Sequence, residues 1–180
     1  MKIQRRLFDQ VLVLEAEERT DCRGSMAAFS PADINQMIPG LIIREQRVYT
    51  MPEAHTFFGI HYQGAPFPQA KIISVVHGSG LDYVVDLRKG SRTRGKWKCL
   101  ELKADLPCAV FIPAGFGHAF LSAEKDTVQL FAADKPFVKG CSGSIHYKDP
   151  DICLRLPCED IVLSEQDQHA PYLRDVSISF

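Results

Sequence analysis

AKIISVVHG at residues 70–78 and GLDYVVDLRKG at residues 80–90 are two runs of apolar and β-branched residues separated by a glycine-rich turn. Runs of this kind, bounded by turn residues, are typical of β-strands. At least six more follow the same pattern at roughly ten-residue spacing: LIIREQRVYT (41–50), TFFGIHYQ (56–63), WKCLEL (97–102), CAVFIPAG (108–115), HAFLSA (118–123) and TVQLFAAD (127–134). The pattern predicts an all-β sandwich or barrel of the jelly-roll type.

Helical signals are few and short. The best is SPADINQMI at residues 30–38, in which Ser30 would cap the helix and Pro31 would begin its first turn. A second short turn is expected after Ser164 in SEQDQHAP. We therefore expect one all-β domain over residues 1–180, with short peripheral helices and a cavity between its walls.

The charge balance of the chain argues against some classes of partner. Lys and Arg total 21 against 22 Asp and Glu, so the net charge is −1. A chain without excess basic residues is not expected to bind nucleic acid. The N-terminal MKIQRRLFDQ has no apolar core of a signal peptide, and no apolar run is long enough for a membrane span. With six cysteines and no CxxC pair, we expect a cytoplasmic protein with reduced thiols and no membrane partner.

Two polar residues on neighbouring predicted strands carry most of the functional information. His61 lies in TFFGIHYQ, and Lys71 follows ten residues later on one face of AKIISVVHG. A neutral imidazole can accept a proton near pH 7, and a nearby ammonium can hold the negative charge left behind. A lone histidine among apolar residues more often has a structural role, so the segment by itself leaves both interpretations open.

A metal site has less support. The PAGFGH segment ending at His118 is similar to part of the second cupin motif, but the chain contains no HxH pair and its other histidines are isolated. Three or four converging ligands are needed to hold a metal ion. We therefore expect no metal and no cofactor. A metal-dependent cupin oxygenase or isomerase remains the alternative.

Several segments, taken in order, resemble the dTDP-4-dehydrorhamnose 3,5-epimerase family. The resemblance extends from about residue 7 to about residue 173, nearly the whole chain. It implies a cupin-type jelly roll without metal, a homodimer, and a nucleotide-diphospho-4-keto-6-deoxysugar as substrate. The segments that carry it are DCRG (21–24), FFGIHYQ (57–63), AKIIS (70–74), VDLRKGS (85–91), GKW (95–97), FIPAGFGHAF (111–120), GSI (143–145) and LSEQDQHAP (163–171).

The same resemblance implies roles for particular residues. His61 falls on the family's base, Asp167 on the carboxylate that orients this base, and Lys71 on the lysine near the developing C4 oxyanion. Five further positions are expected to bind substrate: Arg23 at the nucleotide diphosphate, Gln46, His118 in the sugar pocket, and Phe58 and Phe131.

The chain departs from the family pattern where chemistry is expected. Phe58 replaces an arginine that contacts the C4 oxygen, and Phe131 replaces the tyrosine that acts as the acid. A phenyl ring has no proton to give. Further departures lie at Ala28, Val48, Ser74 and Ser142. The residues expected to remove the proton, His61, Lys71 and Asp167, are kept, whereas the residue expected to return it is replaced by Phe131.

Several consequences of these departures stay open. The enzyme could epimerise at C3 only or C5 only, with water or another tyrosine (Tyr49, Tyr62 or Tyr83) as the proton donor. It could act on another nucleotide sugar, isomerise a keto-sugar, or bind nucleotide sugars without catalysis. We also expect a β-bulge at Gly59, because residues three apart on a regular strand would face opposite sides and Phe58 could not then join His61.

Overall fold

The computed structural model describes residues 1–180. Most of its regular structure is strand, with two short α-helices, α1 (Pro31–Met37) and α2 (Glu165–Gln168), and a 3₁₀ turn at Leu173–Asp175. The strands are β1 (Lys2–Leu7), β2 (Val11–Glu15), β3 (Glu18–Asp21), β4 (Gly24–Ala27), β5 (Glu45–Met51), β6 (Thr56–Gln63), β7 (Lys71–His77), β8 (Ser79–Asp86), β9 (Trp97–Lys103), β10 (Cys108–Ile112), β11 (Phe116–Ser122), β12 (Thr127–Ala133), β13 (Ser142–Ser144) and β14 (Val162–Leu163).

Two large sheets contain all but two of these strands. The first sheet has the order β1-β2-β10-β7-β12-β5, and the second has the order β13-β6-β11-β8-β9 with β14 added beside β6. Neighbours in both sheets are antiparallel, except that β14 runs parallel to β6. Strands β3 and β4 form a separate hairpin. The all-β jelly roll expected from the sequence is confirmed, and its two sheets remain open rather than closing into one barrel.

The main core lies between the two sheets. Ile73 and Val110 of the first sheet are fully buried against Val84 and Phe120 of the second. This arrangement follows from strand alternation, since every second residue of each strand points to the facing sheet. Polar residues in the same alternating positions must therefore also face the space between the sheets.

The outer faces of both sheets are also covered. A second apolar cluster includes Leu14 and Phe111 of the first sheet, with Ile34 of α1 packed against it. A third cluster includes Phe57 and Leu173, joining the second sheet to the C-terminal segment. Neither α-helix has the length or apolar composition needed to cross a bilayer.

Both helix predictions are confirmed, but their caps differ. Ser164 precedes α2, and its Oγ accepts a hydrogen bond from the Asp167 backbone N–H at 3.1 Å. Ser30 precedes α1 in the same extended conformation but makes no side-chain cap hydrogen bond.

The expected bulge is present at Gly59. His61 lies opposite His118 and Phe58 opposite Phe120, so two residues of β6 face the single Ala119 of β11. Gly59 has φ +126°, and a Cβ added there would lie 2.4 Å from the Cβ of Ala119. Only glycine fits this position without displacing β11. The bulge brings Phe58 and His61 to the same cavity.

Candidate active site

A cavity of about 650 Å³ opens between the two sheets at the end where α2 packs against β6. Side chains from both sheets line it. The second sheet contributes Phe58, His61 and His118, the first contributes Arg47, Tyr49, Lys71, Gln129 and Phe131, and α2 contributes Asp167. A hollow of similar volume, about 690 Å³, lies between β1 and β9 and contains none of the predicted site residues. The three predicted catalytic residues therefore meet in the first of these cavities.

His61 and Asp167 are in direct contact although they are 106 residues apart. His61 Nε2 lies 2.7 Å from Asp167 Oδ1. The Asp167 side chain is 2 % exposed, and its Oδ2 accepts a hydrogen bond from the Gly59 N–H at 3.3 Å. With Asp167 as a carboxylate, Nε2 carries the proton and Nδ1 keeps its lone pair. In this arrangement the buried carboxylate fixes the orientation of the imidazole, and Nδ1 is free to accept a proton.

Lys71 reaches the cavity from the opposite sheet. Lys71 is 5 % exposed. Its Nζ lies 3.4 Å from the His61 carbonyl oxygen and 5.4 Å from the centroid of the Phe131 ring. Burial lowers the pKa of Lys71 to about 8. The nearby charge of Asp82 opposes this shift, and the charge of Arg47 adds to it. Lys71 therefore keeps its charge at neutral pH but lies close to losing it.

His118 forms a second histidine–carboxylate pair beside the first. His118 Nε2 lies 2.6 Å from Asp82 Oδ2, and Asp82 is fully buried. Because His118 and His61 are opposite each other on paired strands, both rings belong to one wall of the cavity. Asp82 Oδ1 has no hydrogen-bond partner. Asp82 does not line the cavity itself and contacts it through His118.

Comparison with known proteins decides the family. The family model described as dTDP-4-dehydrorhamnose 3,5-epimerase matches residues 6–175. The chain belongs to the dTDP-4-dehydrorhamnose 3,5-epimerase family. The family consists of isomerases, so the site described above is that of an enzyme family rather than of a binding fold alone.

Individual relatives agree with this assignment. A dTDP-4-dehydrorhamnose 3,5-epimerase from Methanothermobacter thermautotrophicus is 32% identical over 173 residues, covering 93% of this chain and 92% of that protein. The crystal structure of the Bacillus anthracis epimerase with TDP and PPi bound has a TM-score of 0.91 at 26% identity, covering 95% and 98% of the two chains. A 3′-monoepimerase from Streptomyces bikiniensis, in complex with dTDP-quinovose, has a TM-score of 0.86 at 30% identity, covering 91% and 84%.

The two phenylalanines that the family resemblance singled out, Phe58 and Phe131, both line the cavity. Phe58 and Phe131 come from opposite sheets, and the ring of Tyr49 contacts both, with centroids 5.2 Å and 6.2 Å away. These three rings form an aromatic cluster beside Lys71. They make this side of the cavity apolar, consistent with the lowered pKa of Lys71.

Two expected substrate-binding residues lie outside the cavity of their own chain. Arg23 is at the turn of the β3–β4 hairpin, where its side chain is 85% exposed and paired with Asp21 at 2.6 Å. Gln46 is exposed on the outer face of β5, because strand alternation turns Arg47 and Tyr49 inward instead. A substrate in this cavity would meet neither side chain from the same chain.

Sequence reasoning did not assign three of the polar groups lining the cavity: Arg47, Gln129 and Lys139. Arg47 donates from Nε to Glu45 Oε1 at 2.7 Å, and its guanidinium lies 4.9 Å from the Phe137 ring centroid. The alternation of EQRVYTM could have indicated that Arg47 and Tyr49 share a face with Glu45, but nothing in the sequence showed which face is internal.

Proposed function

We propose that this chain epimerises a nucleotide-diphospho-4-keto-6-deoxysugar at a carbon next to the C4 ketone, with His61 as the base. The observation that carries this proposal is the contact between His61 and the buried Asp167 inside a cavity that also holds Lys71. A C–H beside a ketone is acidic enough for a histidine base because the resulting charge spreads onto the C4 oxygen. Lys71 supplies a positive charge from the facing sheet for that oxygen.

The charge of the cavity wall supports an anionic substrate. Arg47, Lys71 and Lys139 line it, against Asp167 as the single acidic residue. A cavity with this excess of positive charge attracts a diphosphate. The relatives suggest dTDP as the nucleotide, since solved structures of this family contain TDP or dTDP-quinovose.

The phenylalanines at positions 58 and 131 support an enzyme that inverts mainly one of the two carbons next to the ketone. Phe58 and Phe131 stand where the family resemblance implies an arginine and an acid, so reprotonation at one of the two carbons, C3 or C5, should be impaired. The likeness to a 3′-monoepimerase is consistent with action at a single centre. We therefore expect inversion at one carbon to be much faster than at the other.

Solvent exchange tests the proposed function directly. dTDP-4-keto-6-deoxyglucose is incubated with the protein in D₂O, and deuterium at C3 and C5 is followed by NMR. The wild type should incorporate label, and His61→Ala should lose this activity by ~10²–10⁴-fold. His77→Ala is the matched control, because His77 is exposed and bonded to the Asp126 carbonyl outside the cavity.

The outcomes separate the alternatives. Absence of label in the wild type, with tight binding of the nucleotide sugar, would support a non-catalytic binding module instead. Label with migration of the carbonyl would indicate a keto-sugar isomerase. Equal activity in wild type and His61→Ala would remove His61 from the mechanism.

We also propose that the enzyme is a homodimer and that the partner completes the nucleotide site. All eight residues of β3 and β4 are exposed in the single chain, including Met26 at 63%. Arg23 and Gln46 point away from their own cavity, so the role implied for them requires a cavity on a second copy. The exposed Val48 lies on the edge strand β5 and belongs to the same outer surface as Gln46.

A further inference from the structure

Epimerisation needs two groups on opposite sides of the sugar. One group removes the proton, and another returns a proton to the other face of the planar enolate. His61 lies on the second sheet, so the returning group is to be sought on the first sheet, across the cavity. The phenyl ring of Phe131, which lies on that sheet, has no proton to give.

We propose that Tyr49 returns the proton in this chain and that Arg47, beside it on β5, positions the phenol and balances its charge. This inference rests on the proposed epimerase function and assigns the half-reaction that the substitution at Phe131 leaves without a donor.

Tyr49 is the phenol that crosses from the first sheet into the cavity. Its ring contacts Phe131 on the adjacent strand and Phe58 on the facing sheet, both in edge-on geometry. Two aromatic contacts from opposite walls hold the ring between the sheets. Its position is therefore defined without any contribution from a substrate.

The other tyrosines are placed less favourably. Tyr83 is 1% exposed and packs against Trp97 in the apolar layer outside the second sheet. Tyr62 borders the cavity from the same strand as His61, and its ring packs against Phe180. Neither faces His61 from across the cavity.

Lys71 also lies on the first sheet and could give a proton, but its position suits a different task. Its ammonium lies 3.4 Å from the His61 carbonyl oxygen, near the base itself. From there it can hold the charge on the C4 oxygen. A lysine that donated its proton would lose the charge that stabilises the enolate.

Arg47 accompanies Tyr49 on the inward face of β5. The Glu45 carboxylate anchors its guanidinium at 2.7 Å. Burial opposes the charge of Arg47, but the hydrogen-bonded Glu45 carboxylate outweighs it and raises the pKa of Arg47. A permanently charged guanidinium beside the phenol stabilises the phenolate that remains after proton transfer.

Gln129 is a second indication that a polar ligand binds beside Tyr49. It lies directly opposite Tyr49 in the β5–β12 register and is 4% exposed. Its Nε2 has no hydrogen-bond partner. A buried amide is rarely left unpaired, so a sugar oxygen bound beside Tyr49 would complete it.

The step balances without any further reagent. His61 Nδ1 takes the proton from the carbon next to C4, and the electrons of that C–H bond pass into the enolate. The Tyr49 O–H then gives its proton to the same carbon from the other face, and the enolate electrons form the new C–H bond as the ketone returns. The phenolate and the imidazolium exchange protons with water to regenerate the enzyme.

Tyr49→Phe tests this assignment, because it removes one oxygen and keeps the ring packing. With dTDP-4-keto-6-deoxyglucose in D₂O, we expect inversion to fall ~100-fold or more. Deuterium exchange at the same carbon should persist, because His61 and Lys71 are untouched. The persisting exchange also shows that the variant is folded. Adding Phe131→Tyr to Tyr49→Phe should restore part of the inversion by placing a phenol on the neighbouring strand.

Arg47 is tested as a positioning residue. Arg47→Met should slow inversion more than exchange. Arg47→Lys should recover most of the loss, because it restores the positive charge beside Tyr49. Loss of both activities in equal measure in Arg47→Met, without recovery in Arg47→Lys, would assign Arg47 to substrate binding instead and overturn its proposed role.

The remaining outcomes are also decisive. Inversion by Tyr49→Phe at the wild-type rate, or loss of inversion in Tyr62→Phe instead, would overturn the role of Tyr49 while leaving the epimerase function intact. Deuterium label without inversion in the wild type would also overturn the role of Tyr49. No label in the wild type would overturn the proposed function itself, and this inference with it.

Discussion

At the scale of single residues, the clearest pH dependence belongs to Lys71. Burial lowers its pKa from 10.5 to about 8, so above that pH the folded protein loses this charge while the unfolded chain still binds the proton. Activity that requires the ammonium should therefore fall above about pH 8. A pH–rate profile of the wild type checks this, and Lys71→Met should be slow at every pH without that alkaline loss.

The same shift predicts a stability effect with a defined sign. Between about pH 8 and 10.5 the unfolded chain binds more protons at this position than the folded one. The free energy of unfolding should rise with pH in that window, by about 3 kcal/mol in total at ~1.4 kcal/mol per pH unit. Urea titrations of wild type and Lys71→Met across the window isolate this contribution. A constant difference between the two proteins would contradict it.

Phe131 offers a gain-of-function prediction. Phe131→Tyr places a phenol beside Lys71, whose Nζ lies 5.4 Å from the Phe131 ring centroid. We expect faster epimerisation at the carbon that the wild type handles poorly, which NMR of the product mixture would show. Unchanged or lower activity would indicate that the cavity has been rebuilt for other chemistry.

At the scale of elements, the short helix α2 determines whether Asp167 reaches His61. Ser164 Oγ caps it by accepting from the Asp167 N–H. Ser164→Ala should lower the free energy of unfolding by about 1 kcal/mol and reduce activity, because the carboxylate that orients the base is less well held. Ser30→Ala is the matched control, since Ser30 precedes α1 without a side-chain cap bond. Equal losses in the two variants would contradict the role of the cap.

The bulge in β6 is the second element on which the site depends. Gly59→Ala combines a positive φ with a clash against Ala119, whereas Gly90→Ala has a positive φ of +83° and open space around its Cβ. The clash should cost roughly 1–3 kcal/mol more at position 59, measured by urea unfolding. Activity should be lost only in Gly59→Ala, because the clash pushes β6 and β11 apart and β6 carries Phe58 and His61. Similar results for both variants would show that the bulge tolerates a side chain.

At the scale of the whole molecule, the exposed β3–β4 hairpin and the edge strand β5 predict self-association. Val48→Glu introduces a charge on a side chain that is 64% exposed in the single chain. Sedimentation velocity should show a dimer for the wild type and a monomer for Val48→Glu, with weaker nucleotide binding by the monomer. Val162→Glu, on a valine of the other sheet that is 50% exposed, should remain dimeric. A monomeric wild type at all concentrations would contradict the dimer proposal.

Much of the fold could be predicted from local pattern. The positions of β6, β7, β8 and β12 follow from alternating apolar residues and turn signals, because the period of two is a local property of an extended chain. The placement of Arg23 and Gln46 outside the cavity could not be predicted in this way. Exposed residues show the same sequence pattern whether or not they contact a second subunit.

What the sequence alone determined is the class of fold, the family resemblance, and the presence of His61, Lys71 and Asp167 within motifs of that family. Only the tertiary structure decided that Tyr49 and Arg47 stand beside Phe131, because β5 pairs with β12 across some eighty intervening residues. Alternation specifies which side chains share a face of a strand, whereas the order of strands in the sheets decides which faces meet. That order depends on the packing of the entire core, and no segment of the chain contains it.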